Sequence, residues 1–136
     1  MGTQLFNNKK YGLCNAVILA QKNSKFLRLW LSTYKEFRSK GFDKYWDEHS
    51  VIIPYQISQY YPELIHIENQ ESFFYPSYSL SPVDLKLLFE ENKSFSEAYI
   101  FHLWESLSYQ NYLLHINEKF IRTTETTYNK IARNYI

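Results

Sequence analysis

The chain has 136 residues, enough for one domain with a single core and too few for two. Hydrophobic residues make up 45% and aromatics 19%, which excludes a disordered chain, and a net charge of +1 with no basic run longer than Lys9-Lys10 gives no footprint for nucleic acid or an anionic membrane. The longest apolar stretch, Leu13 to Ala20, is interrupted by Asn15 and falls far short of the about 20 residues a span needs, and the one cysteine, Cys14, reads as a small buried hydrophobe.

In chain order, Leu13 to Leu19 is a short apolar run with Val17 and Ile18 that suits a buried strand. Asn23 or Ser24 can cap a helix running to about Ser39, with Phe26, Leu27, Trp30, Leu31, Tyr34 and Phe37 on one face and Gly41 as its stop. A second helix starts at Ser50, carries Pro54 in its first turn and ends before Pro62. Leu64 to Ile67 and Ser72 to Tyr75 are β-rich and read as strands. Ser81-Pro82-Val83-Asp84 opens a helix whose buried stripe is Leu85, Leu88 and Phe89. Ala98 to Phe101 reads as a further strand, Trp104 to about Ile116 as one or two helices, and Thr124 to Tyr135 as a docked terminal helix with Tyr128, Ile131, Ala132 and Tyr135 at helical spacing. The alternation of types every ten to twenty residues gives an α/β class in one domain over residues 1–136.

Several chemistries lack their residues. Three glycines, Gly2, Gly12 and Gly41, cannot build a phosphate-cradling loop or a dinucleotide fingerprint, and one cysteine cannot build a thiolate zinc site. No Gly-x-Ser-x-Gly elbow occurs, and the adjacent carboxylates Asp47-Glu48 and Glu90-Glu91 point apart on a helix or strand instead of forming an acid/base pair.

Three islands remain. In Gly12-Leu13-Cys14-Asn15-Ala16-Val17-Ile18, an Asn within an apolar run either bonds neighbouring backbone or faces a cleft, because a buried amide left unpaired costs on the order of 1–3 kcal/mol. In Trp46-Asp47-Glu48-His49-Ser50-Val51-Ile52-Ile53-Pro54, acidic and imidazole groups gather at a helix N-terminus, where they either cap the helix or serve a ligand. In Ala98-Tyr99-Ile100-Phe101-His102-Leu103-Trp104-Glu105-Ser106, a histidine leaves an apolar strand with a tryptophan two residues on, so both can point to one side. Imidazole can ligate Mn²⁺ and an indole N–H can donate to a phosphate oxygen, but taken alone the His reads better as a buried structural residue.

Taken in order, Asn-Ala-Val-Ile, an aromatic helix, Trp-x-x-His-Ser-x-x-x-Pro, Phe-Tyr-Pro-Ser, His-Leu-Trp and a terminal Tyr-x-x-Ile-Ala-Arg cover nearly all of residues 12 to 135. The series resembles the C-terminal half of a glycosyltransferase family 32-like, DXD-containing enzyme of the GT-A type. The resemblance implies transfer of a sugar, with retention, from a nucleotide-sugar donor to a glycan or lipid acceptor. It also implies a Mn²⁺ or Mg²⁺ cofactor that screens the leaving diphosphate as a Lewis acid. By the same resemblance His102 completes the metal or pyrophosphate site, Trp104 and Ser106 bind the nucleotide sugar with Asn15, and Asp47, Glu48 and His49 face the sugar or acceptor as catalytic candidates.

No Asp-x-Asp motif occurs in the chain, so the resemblance implies a missing N-terminal half, which belongs to a longer protein or to a second chain, unless the chain is a degenerate relative. Such a protein is expected to be cytoplasmic or membrane-associated. A strand edge bared by the missing half is expected to favour aggregation or a homo-oligomer. The other reading is a non-catalytic carbohydrate- or protein-binding module whose many aromatics present stacking surfaces.

Overall fold

A computed structural model describes residues 1–6, 9–76, 83–95 and 97–136, with the side chains of residues 83 and 84 outside that description. The class is α/β: one two-stranded antiparallel sheet and several short helices. Among the described residues no helix is long and apolar enough to cross a membrane.

The sheet lies earlier than the apolar run suggests. Strand β1, Gly2–Phe6, pairs with β2, Lys9–Cys14, and the chain turns at Asn15 instead of continuing to Leu19. The pairing passes from Gln4↔Gly12 to Leu5↔Lys10, so Tyr11 is an extra, bulged residue. The end of β2 is covered on both faces. Leu13 packs with Met1, Phe26 and Trp30, while Cys14 turns the other way onto Phe73 and Phe74. Gly12 is required by space: a Cβ there would sit 2.4 Å from Val51 Cγ1 and 2.6 Å from the Val51 carbonyl oxygen.

Helix α1, Lys25–Ser32, starts where Ser24 accepts the Leu27 N–H and passes into a 3₁₀ turn over Thr33–Glu36, well short of Ser39. Phe26 and Trp30 are its buried face; Leu31, expected on that face, is 70% exposed. The second helix begins earlier than Ser50, as a π-helical turn over Glu48–Ile52 that continues as α2, Ile53–Tyr60, with Pro54 in its first turn. Helix α2 ends before Pro62, as its sequence indicates.

Two expected strands are replaced. Ile65 is extended, but 65–67 form no strand and the ladder is one bridge, Gly2↔Glu68, with Thr3 N–H on the Glu68 carbonyl at 2.9 Å. Ser72 and Phe73 belong to a helical turn, α3 (Gln70–Phe73), and Tyr75 alone bridges Phe101. Helix α4, Val83–Phe89, buries Leu85, Leu88 and Phe89 as expected; Ser81 and Pro82 lie outside the described residues. After the bridge come α5 (Glu105–Ser108), a 3₁₀ turn over Leu113–His115, α6 (Glu118–Thr123) and α7 (Thr127–Ala132). Phe101, Leu103, Trp104, Leu107 and Tyr128 close over α4, making a second core beside the one around Leu13. The Ser72 and Tyr75 carbonyls join the halves by accepting the Tyr99, Ile100 and His102 N–H groups.

Candidate functional site

His102 and Trp104 come together, though not by strand alternation. Once the Tyr75↔Phe101 bridge is made, the chain leaves extended geometry, and Trp104 adopts a left-handed conformation at φ 47°, ψ 63°. For a bulky side chain that conformation costs on the order of 1–3 kcal/mol and persists only where surrounding contacts enforce it. Three contacts do so. The Trp104 N–H donates to His102 Nδ1 at 3.2 Å, its indole N–H donates to the buried Pro76 carbonyl at 2.6 Å, and its ring stacks on the imidazole with centroids 3.8 Å apart.

This geometry assigns the histidine's nitrogens. Nδ1 accepts, and partial burial pushes the imidazole below its ordinary range, so the ring is neutral with its proton on Nε2. A metal-bound histidine has the opposite arrangement, one lone pair on the metal and the other nitrogen donating outward. Among the described residues no three His, Cys, Asp or Glu side chains gather where a metal ion fits. By themselves these side chains do not make a Mn²⁺ or Mg²⁺ site. What the pair offers is an Nε2–H donor backed by an indole.

Asp47, Glu48 and His49 form a second, separate group with structural duties. The bulged Tyr11 hydroxyl donates to Asp47, which pushes the phenol up to about 12. Glu48 is gripped by Arg38, with Nε at 2.9 Å, and that guanidinium holds its carboxyl below the usual range. His49, only 2% exposed, donates from Nε2 to the Thr33 carbonyl at 3.0 Å, and its ring meets Tyr34 and Phe37 with centroids 5.1 and 5.2 Å away. Its Nδ1, 3.7 Å from Glu48, has no hydrogen-bond partner. His49 therefore ties the π-helical turn to the end of α1, and its carbonyl takes the Trp30 indole N–H at 2.7 Å.

The other expected residues are at the surface. Asn15 is exposed in the turn after β2, not within a strand, and Ser106 is exposed in the first turn of α5. The inward serine of that helix is Ser108, fully buried and donating to the Leu103 carbonyl at 2.6 Å. A wide cleft of about 680 Å³ opens between residues 18–27 and 63–68, edged by Lys22, Lys25, His66 and Glu68, and none of the expected site residues lines it. A second feature missed from sequence is an exposed aromatic group on the loop after α1, formed by Phe42 and Trp46 with the half-exposed Phe37, whose ring also packs on Tyr34 and His49. Its signal is present: residues 37–46 are aromatic-rich around Gly41 without helical periodicity.

Comparison with known proteins gives one similarity. The chain is 34% identical over 128 residues, 92% of its length, to Glucan organizing enzyme 1 of Cryptococcus neoformans var. grubii, of which the match covers 33%. The likeness is to a glucan-related enzyme, and the chain spans about a third of that curated relative. No family model matches the chain, and no solved structure matches it.

Proposed function

We propose that the chain is part of a glycosyltransferase of the family 32-like, GT-A type, acting in glucan metabolism, and that His102 and Trp104 help hold the diphosphate of a nucleotide-sugar donor. The observation that carries this reading is the strained Trp104. Its backbone conformation is costly, and the contacts enforcing it fix the imidazole so that Nε2–H is the nitrogen left to donate. A neutral N–H donor in a half-buried setting stabilises charge developing on a leaving diphosphate more strongly than it would in water. The name of that relative, Glucan organizing enzyme 1, supports glucan as the acceptor class.

In this role His102 binds a phosphate oxygen and Trp104 is a positioning residue. Among the described residues no three His, Cys, Asp or Glu side chains gather and the chain has no Asp-x-Asp, so a Mn²⁺ or Mg²⁺ at this site would need further carboxylate ligands. Ser106, exposed beside this pair, and Asn15 are secondary candidates for donor contacts. Asp47, Glu48 and His49 are better explained by the bonds they make to Tyr11, Arg38 and Thr33.

Calorimetric titration of the chain with a nucleoside-diphosphate sugar, with and without Mn²⁺, tests the reading. Binding heat lost in His102→Ala and kept in His102→Gln, whose amide N–H stands in for Nε2–H, is the expected result. Equal heat in wild type and His102→Ala, or none in the folded wild type, overturns it. The second reading, a non-catalytic carbohydrate-binding module, is favoured by the structural engagement of Asp47, Glu48 and His49, and predicts glycan binding without any response to the nucleotide sugar.

A further inference from the structure

We propose that Phe42 and Trp46, with Phe37 behind them, form a stacking platform for an uncharged glucan chain, an inference that deepens the carbohydrate reading above and rests on it. Phe42 is as exposed as a residue in an extended chain, at 102%, and Trp46 and Phe37 are each 50% exposed. Phe42 and Trp46 are neighbours, and contiguous bare apolar surface marks interaction sites where single exposed residues do not. The Phe42 and Trp46 rings stand 6.5 Å apart and, with Phe37, Ser39 and Gly41, line an open depression of about 400 Å³.

The loop is held in shape without help from a partner. The Asp43 carboxylate accepts the Lys40 N–H at 2.7 Å, the Tyr45 N–H at 2.9 Å and the Ser39 hydroxyl at 3.1 Å, and these bonds hold its carboxyl below the usual carboxylate range. Gly41 stands at φ +124°, which a side chain would strain, although the space around it is open. The neighbouring Tyr45 is already occupied, lying under the Arg38 guanidinium at 4.0 Å and the Lys44 ammonium at 4.9 Å. The rings left bare are thus presented on a fixed loop, so little ordering entropy opposes binding.

Charge selects the ligand. From residue 35 to residue 48 there are four basic residues, Lys35, Arg38, Lys40 and Lys44, and four acidic ones, Glu36, Asp43, Asp47 and Glu48. The patch carries no net field to attract an anionic lipid, a nucleotide or a nucleic acid. An uncharged ligand with an apolar C–H face and an edge of hydroxyls fits it, and a pyranose ring has both. Aromatic faces supply the stacking surface. Among the described residues nothing accepts the Trp46 indole N–H, which leaves it to donate to a sugar hydroxyl. Glucan bound here would be the acceptor, or the anchored polymer from which an acceptor end extends.

The test is titration of the intact chain with a linear, uncharged gluco-oligosaccharide. Phe42→Ala and Trp46→Ala should each weaken binding about tenfold or more, while Tyr60→Ala, an equally bare aromatic elsewhere at 81% exposure, should leave it unchanged. Both substitutions fall on exposed side chains, and circular dichroism confirms that the fold survives. Undiminished oligosaccharide binding in both variants overturns the proposal. So does binding to phosphatidylserine vesicles, lost in Phe42→Ala, without binding to the saccharide, which would make the loop a membrane contact. The nucleotide-sugar titration separates this claim from the donor site. Donor heat retained in Phe42→Ala with saccharide binding lost supports both, whereas saccharide binding lost in Phe42→Ala with no donor heat in wild type sinks only the transferase reading.

Discussion

Replacing His49 by alanine tests the structural role that its packing and its bond to Thr33 give it. The imidazole is 2% exposed, wedged between Tyr34 and Phe37, with one hydrogen bond, from Nε2 to the Thr33 carbonyl at 3.0 Å. Removing the ring from this packed position costs on the order of 2–3 kcal/mol for lost contacts and residual cavity. Losing the bond adds about 1 kcal/mol. Nδ1 has no partner, so its removal adds nothing. The expected loss is about 3–4 kcal/mol, read as a lower urea midpoint by circular dichroism and a Tm roughly 10–15 °C lower for a chain of this length. His49→Gln, with an amide able to donate to Thr33, should recover about 1 kcal/mol. The Trp30 indole bond goes to the His49 backbone carbonyl and survives both changes. An unaltered unfolding midpoint in His49→Ala would refute the structural assignment.

Gly12→Ala should destabilise by about 1–3 kcal/mol through overpacking on Val51, measured by urea unfolding; Val51→Ala should rescue it only in part, because the Val51 carbonyl, 2.6 Å from the new methyl, stays in place. Thr127→Val in α7 removes a hydroxyl whose one proton lies within reach of the Leu87 and Glu91 carbonyls, at 3.0 and 2.9 Å, and whose oxygen accepts the Lys93 N–H at 2.8 Å, so a loss of about 2 kcal/mol is expected in the same assay. Tyr11, held at about 12 first by its bond to Asp47, should be among the last tyrosines to ionise in an alkaline absorbance titration, and Asp47→Asn should move it down toward its ordinary value. Because the folded value lies above the unfolded one, the stability from this bond is complete below the ordinary tyrosine range and disappears as pH rises through about 12.

The parts of the fold legible in the sequence are those decided locally. Ser24 caps α1, Pro54 sits in the first turn of α2, and Leu85, Leu88 and Phe89 are the buried stripe of α4, because a hydroxyl, a missing N–H and a 3.6-residue repeat act within a few residues. The misread parts depend on distant partners. Val17 and Ile18 have strand propensity but no ladder, since β2 spends its pairing on β1 and turns at Asn15. Ser72 and Phe73 likewise look like strand, yet their turn lets the Ser72 carbonyl collect two N–H groups from the segment after α4.

The candidate site repeats this lesson at the scale of two residues. The spacing of His102 and Trp104 puts their side chains on one side if the strand continues, and the side chains do meet, but the strand stops at Phe101. They meet because Trp104 turns left-handed and donates its own N–H back to His102. The distinction matters for chemistry. On a continuous strand both imidazole nitrogens would be open to ligands, and a metal would be the natural occupant. With Nδ1 taken by the Trp104 backbone, the ring becomes a directed hydrogen-bond donor, suited to an anionic oxygen and poorly suited to a cation. The spacing is visible in the sequence; the identity of the free nitrogen follows from one backbone torsion that propensity does not specify.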